Sequence, residues 1–212
     1  MWVIKLGGSL HADARLPQWL AMIAELGGAR ATVLSGGGRF ADEVRAAQGR
    51  WGIDDLAAHN MAVLAMAQGA HLLQGLCPSL ELVDEEASIL PVLRRGQVAL
   101  WAPYGLLRKE ADETSNWDTT SDSIALALAR RLNAECLMVV KSCTIDPQAN
   151  VVDLVQAGVL DRAFARSARG VGFPIHLVHA AQLDLARDLL LDGNALPRAI
   201  LQRRVARTQL GF

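Results

Sequence analysis

Short apolar runs alternate along the chain with longer stretches of helical period, the pattern expected of α/β architecture. The first run, 2–6, is interrupted only by Lys5 and ends at Gly7-Gly8, which predicts a strand and a tight turn. Residues 17–27 carry Leu20, Ile23 and Ala24 at helical spacing and stop at Gly27-Gly28. A second strand over 31–34 runs directly into Ser35-Gly36-Gly37-Gly38, followed by a helix over 41–48 and a longer one over 54–76. Strands are expected at 80–83 and 98–101, with a short helix or turn at 85–93 between them and a loop or lid at 103–116 after them. A helix over 121–132, a buried strand over 137–140 and a loop over 141–150 come next. The C-terminal part reads as a helical region over 153–169, a strand over 175–178, a helix over 180–191 and a last strand near 199–201. With no linker or repeat to divide it, 1–212 is expected to be one domain. Its fold class is α/β, a three-layer sandwich with a mainly parallel sheet covered on both faces.

Composition narrows the function. The 212 residues are 51% hydrophobic and 20% charged, enough for a sizeable core, and the net charge of −1 provides no basic footprint for nucleic acid. No apolar run is long enough to span a bilayer. The start, MWVIKLGGSL, lacks the features of a signal peptide, so a cytoplasmic location is expected. Cys77, Cys136 and Cys143 are odd in number and lack C-x-x-C spacing, which suggests neither disulfides nor a zinc site. Of the 21 basic residues 18 are arginine, and lysine occurs only at Lys5, Lys109 and Lys141. Two of these sit at strand ends, where a compact point charge suits a single phosphate oxygen better than a planar fork.

The residues that carry chemistry cluster at strand ends, where ligands bind in open α/β sheets. In Lys5-Leu6-Gly7-Gly8-Ser9 the glycines let backbone N–H groups approach an anion, Ser9 adds a hydroxyl and Lys5 faces the same space. The plain alternative is an ordinary turn with a snorkelling lysine. Gly36-Gly37-Gly38-Arg39 opens a helix, a favourable place for an anion, or is simply a flexible turn. Neither loop matches G-x-x-x-x-G-K-S/T, nor G-x-G-x-x-G with a following acid, so P-loop and nicotinamide readings lose their support. Two cradles at neighbouring strand ends suggest a donor phosphate facing an acceptor. The stretch Asn116-Trp117-Asp118-Thr119-Thr120-Ser121-Asp122-Ser123 precedes a helix, and one of its residues suffices as a cap. Asp118 and Asp122 are candidates to hold lysines or to bind Mg2+ through water. Lys141-Ser142-Cys143-Thr144-Ile145-Asp146-Pro147 is either a binding turn or a solvated loop.

Together, VIKLGGSL, VLSGGGRFADEVR, WDTTSDSIALALA and the turn after LMVVKS resemble, in order and spacing, the amino acid kinase superfamily, which includes acetylglutamate kinase, aspartokinase and bacterial uridylate kinase. The Trp101-x-Pro103 and Leu106-Leu107-Arg108 run before Trp117-Asp118-x-Thr120-Ser121-Asp122-Ser123 is similar to the small kinases of methanofuran biosynthesis, which act on aminomethylfuran phosphate. The resemblance implies the carbamate kinase-like fold, with 1–115 mainly on the acceptor side and 116–212 mainly on the nucleotide side. It implies ATP with Mg2+, a small anionic acceptor and a homodimer or higher homo-oligomer. Lys5, Asp122 and Lys141 become the catalytic candidates, with Asp122 orienting the lysines. Gly7, Gly8, Ser9, Lys141, Ser142, Thr144 and Asp146 would hold the nucleotide. Gly36, Gly37, Gly38, Arg39, Asp118, Thr120 and Ser121 would hold the acceptor. One departure stands out: the second catalytic lysine that many relatives carry in the C-terminal half is missing, and 158–172 offers only Arg162, Arg166 and Arg169. Either Lys141 or one of these arginines supplies the charge, or activity is impaired. The competing readings are a carboxylate kinase that makes an acyl phosphate and a nucleotide-binding sensor or storage subunit.

Overall fold

The computed structural model describes residues 1–192. Six strands form one parallel sheet: β1 (Trp2–Leu6), β2 (Ala31–Ser35), β3 (Leu80–Val83), β4 (Val98–Trp101), β5 (Cys136–Lys141) and β6 (Ile175–His179). Their order is β3-β4-β2-β1-β5-β6. The chain leaves β1 toward β2, then crosses after β4 to β5 on the other side of β1. The boundary between β1 and β5 is therefore the topological switch point, where the carboxyl ends of the strands open a crevice. Register sets Lys5 beside Val139 and Leu6 beside Val140.

Both faces of the sheet are covered, which is why its strands read as nearly continuous apolar runs. On one face α1 (Leu16–Leu26), part of α3 (Asp55–Leu76) and α8 (Leu183–Asp192) bury Trp2, Ile4 and Leu6 of β1. On the other, α4 (Ile89–Arg94), α5 (Ser121–Arg131), α6 (Val151–Gln156) and α7 (Phe164–Ser167) bury Val3, Leu34, Leu137 and Val139. This three-layer arrangement is the one expected. Trp19, wholly buried, donates its indole N–H to the carbonyl of Ala180 at 2.9 Å, so its one polar atom is satisfied inside the first core.

Three expectations need correction. The helix after the triple glycine, α2, spans Gly38–Trp51 and begins within the glycine run, because Gly38 adopts a positive φ of 53° that lets the chain turn straight into it. The region 153–169 is not one helix but two short ones, since Gly158 takes a φ of 68° just after α6 and the chain turns there. A capping box between Asn150 and Asp153 fixes the start of α6 two residues earlier than expected. The last predicted strand, near 199–201, lies outside the described residues.

Candidate active site

Strand alternation explains why two lysines converge. Side chains of β1 point alternately to the two faces, so Lys5 follows Val3 onto the face covered by α5. On β5 Lys141 follows Leu137 and Val139 in the same way. Asp122, the second residue of α5, hangs over the ends of both strands. Lys5 Nζ lies 2.7 Å from Asp122 Oδ1, and Lys141 Nζ donates to Asp122 Oδ2 at 2.6 Å. Lys5 and Asp122 are each only 2% exposed. Burial pushes the Lys5 ammonium down to about 8, against the pull of Asp122 and with a further push from Lys141. Burial also resists ionisation of Asp122, but the two ammonium groups overcome it and hold the carboxyl below the ordinary carboxylate range. Two cations share one carboxylate. An excess positive charge therefore waits at the switch point, as an anionic ligand requires.

The carboxylate is itself held by a second one. Thr120, the residue before α5, makes no side-chain cap of its own. Instead Asp161 Oδ2 accepts from Thr120 N at 2.9 Å, Thr120 Oγ1 at 3.0 Å and Ser123 N at 2.9 Å. Its Oδ1 accepts from Ser123 Oγ at 2.5 Å. A distant chain segment thus caps the helix that carries Asp122. Burial raises the Asp161 carboxyl above its ordinary value, while its bonds from Ser123 pull the other way. Sequence reasoning misses Asp161, because its signal is only a lone acid in a region of helical composition.

The two glycine loops meet backbone to backbone. Gly7 N donates to Val140 O and Gly36 N to Leu6 O, both at 2.9 Å, so each loop is tied to a neighbouring strand end. A Cβ on Gly36 would lie 2.6 Å from Gly8 N, and one on Gly38 would lie 2.5 Å from Gly8 O. No side chain fits between them. Ser9 Oγ is 2.6 Å from Ser142 Oγ, which links the first loop to the turn after β5. His11, in a 3-10 turn over Gly8–Ala12, was also missed; its Nε2 is 2.8 Å from Ser35 Oγ.

Over these groups lies a cavity of about 780 Å³. Lys5, Asp122, Lys141, Gly7, Gly8 and Ser9 line it, together with Gly37, Gly38, Arg39, Thr120 and Ser121. Phe40, Ala58, Val63, Met66 and Trp117 add an apolar part to the lining, with Asp42, Arg45, Asp55 and His59 also on it. Trp117 is fixed there by an indole N–H donated to Gln48 Oε1 at 2.6 Å and by the Arg45 guanidinium 4.2 Å from its ring centroid. Gly36 sits buried beneath the cavity wall, packed against Gly8.

Four of the expected site residues stand apart from this cavity. Asp118 is exposed and 3.3 Å from the Arg162 guanidinium. Ser142 borders the site only through Ser9, whereas Thr144 and Asp146 are exposed on the turn beyond it. Neither carboxylate considered for Mg2+ is placed to hold it, since Asp122 is occupied by two ammonium groups and Asp118 faces outward beside an arginine. No group of three or more His, Cys, Asp or Glu side chains gathers for a metal among the described residues. Among those residues, too, no helix is long and apolar enough to cross a membrane.

The family model for the amino acid kinase family matches residues 1–143. No curated protein matches the sequence. Among solved structures, the uridylate kinase from Archaeoglobus fulgidus is 16% identical, with 90% of this chain and 95% of that one covered at a TM-score of 0.66. The UMP kinase from Ureaplasma parvum is 14% identical, with coverage of 91% and 95% and the same TM-score of 0.66.

Proposed function

The chain belongs to the amino acid kinase family, and from that premise we propose that it is an ATP-dependent kinase that phosphorylates a small anionic acceptor. The observation that carries this reading is the buried Lys5–Asp122–Lys141 cluster at the switch point, with its surplus positive charge beside two glycine loops. Phosphoryl transfer asks for position and charge stabilisation rather than covalent help from the protein. ATP, bringing Mg2+ on its own phosphates, lies with its γ-phosphate near Lys5 and the Gly7–Gly8–Ser9 loop and its remainder toward Ser142 and the 116–192 half. An acceptor oxygen held near Gly37, Gly38 and Arg39 attacks the γ-phosphorus in line. The new P–O bond forms as the bond to the β-phosphate oxygen breaks, and ADP leaves with that electron pair. A phosphate oxygen is already deprotonated at neutral pH, so no general base is required. Lys5, Lys141 and loop N–H groups stabilise the developing charge, each well-placed donor being worth about 3 kcal/mol.

Lys141 answers the missing second lysine in this reading. It contacts the Asp122 oxygen that Lys5 does not, whereas Arg162 pairs with Asp118 at the surface and Arg166 and Arg169 are exposed. The acceptor we propose is aminomethylfuran phosphate or a closely related intermediate of methanofuran-type cofactor synthesis. A small ring suits the apolar Phe40, Val63, Met66 and Trp117 of the lining, and the free oxygens of Asp42, paired with Arg45, and of Asp55, bonded by Gln48, suit an amine. Assembly into a dimer or higher oligomer belongs to this reading, supported by exposed Met61, Leu64 and Leu76 along α3.

The test is ADP release with ATP, Mg2+ and a panel of aminomethylfuran phosphate, UMP and amino-acid carboxylates. Turnover with the furan phosphate, yielding its diphosphate, is expected. Lys5→Ala should lower it by on the order of 100-fold or more. A product trapped by hydroxylamine identifies a carboxylate kinase instead. ATP binding without turnover of any acceptor refutes the kinase reading in favour of a binding subunit.

A further inference from the structure

His11 lines the cavity, yet the reaction outlined above gives it no part. It lies in the turn that follows the first glycine loop, and its partner Ser35 is the last residue of β2, immediately before the second. Ser35 Oγ lies 3.0 Å from Gly36 O and 2.8 Å from His11 Nε2; when its proton goes to the carbonyl it accepts from the imidazole, whose proton is then on Nε2. The other ring nitrogen, Nδ1, is buried without a hydrogen-bond partner and faces Gly38, where a Cβ would come within 2.6 Å of it. Behind the ring, a Cβ on Gly69 of α3 would lie 2.9 Å from His11 Cε1. Phe40 closes the remaining side, tilted at a centroid distance of 6.2 Å. The imidazole is thus wedged between the chain of the first loop and the backbone of the second, with glycines making room on two sides. Burial, and then the nearby Lys5 charge, keep it neutral.

We propose that the His11–Ser35 hydrogen bond is a brace that steadies the two abutting glycine loops against each other, which makes His11 a positioning residue for phosphoryl transfer. The proposal rests on the kinase reading, in which one loop carries the donor phosphates and the other the acceptor. In such a site the distance between reactants governs turnover, and a displacement of about 1 Å costs on the order of 100-fold. Each reactant contacts its own loop, so loss of the brace should leave the binding of each largely intact and depress the transfer step.

Four variants test this: His11→Ala, Ser35→Ala, the double variant and His11→Gln, whose amide nitrogen takes the place of Nε2. His11→Ala and Ser35→Ala should each lower kcat by about 10- to 100-fold with both KM values changed less than about 3-fold. The double variant should be no slower than the slower single one, because both remove the same interaction. His11→Gln should restore kcat to within about 3-fold of wild type. Hydrogen exchange at the amides of Gly7–Ser9 and Gly36–Gly38 provides a readout independent of any acceptor. It should accelerate in the alanine variants and not in His11→Gln. Wild-type exchange and kcat in Ser35→Ala, additive losses in the double variant, or a glutamine variant as slow as the alanine one would each overturn the brace. If wild type turns over no acceptor, the kinase reading fails and exchange alone decides whether the brace exists.

Discussion

In the proposed reaction Lys5 is a group whose chemical use opposes stability, and Lys5→Met separates the two. Methionine keeps the length and apolar stem of lysine and removes the charge. In the native protein the ammonium titrates at about 8, against 10.5 for an ordinary lysine, with its attraction to Asp122 already included. At about 1.4 kcal/mol per pH unit, carrying that charge costs the fold about 3 kcal/mol at pH 7. Asp122 retains Lys141 at 2.6 Å in the variant, so no carboxylate is left buried without a cation. Lys5→Met should therefore be more stable than wild type at pH 7, by at most about 3 kcal/mol because Asp122 Oδ1 loses its Lys5 partner, or up to roughly 6–12 °C in Tm for a chain of this size. The pH dependence follows from the direction of the shift. Below about 8 the lysine is charged in both native and unfolded states and the full cost is present. Between about 8 and 10.5 the native state releases its proton first, wild type gains stability, and the advantage of the variant shrinks to under about 1 kcal/mol at pH 10. Denaturant unfolding of both proteins at pH 7 and pH 10 measures this, alongside turnover, which should fall by on the order of 100-fold or more. A variant less stable than wild type at pH 7, or an advantage undiminished at pH 10, refutes the reasoning.

Other expectations follow from single contacts. Asp161→Ala strips four acceptor contacts from the start of α5 and should destabilise the protein by about 2–3 kcal/mol and slow turnover, checked by melting and by kcat. Gly8→Ala places a methyl group against the backbone of Gly36 and Gly38, which cannot move aside. A loss of about 2–3 kcal/mol is expected from the overpacking, together with weakened nucleotide binding by calorimetry. His176 is buried, stacked on Trp2 with ring centroids 6.2 Å apart, and its Nε2 is unpartnered. Burial lowers its pKa below 6.5, so the unfolded chain protonates first and stability should fall as pH drops below about 6.5. His176→Leu should flatten that slope in acid-side denaturation curves.

The strands and long helices were legible because burial on both faces of a parallel sheet leaves an unmistakable apolar run between turn residues, as at 2–6 and 31–34. The glycine loops were legible because a close backbone approach leaves no alternative residue. The break after α6 was not, since one glycine with a positive φ interrupts an otherwise helical composition. Asp161 and His11 escaped for a shared reason. Each acts through a partner far away in sequence, 38–41 residues for Asp161 and 24 for His11, and no local spacing encodes such a pairing. The hydroxyl-rich run before α5 was noticed but credited to local capping or ligand binding, when two of its members, Thr120 and Ser123, serve as donors to that distant acid.

The abutting main chains of Gly8, Gly36 and Gly38 limit what can be substituted there. Because neither segment can acquire a side chain without displacing the other, a single substitution at Gly8, Gly36 or Gly38 forces the facing main chain to shift. In the proposed kinase, a change of acceptor is therefore more open to substitutions elsewhere in the lining, on α2, α3 and Trp117, than to any within these loops.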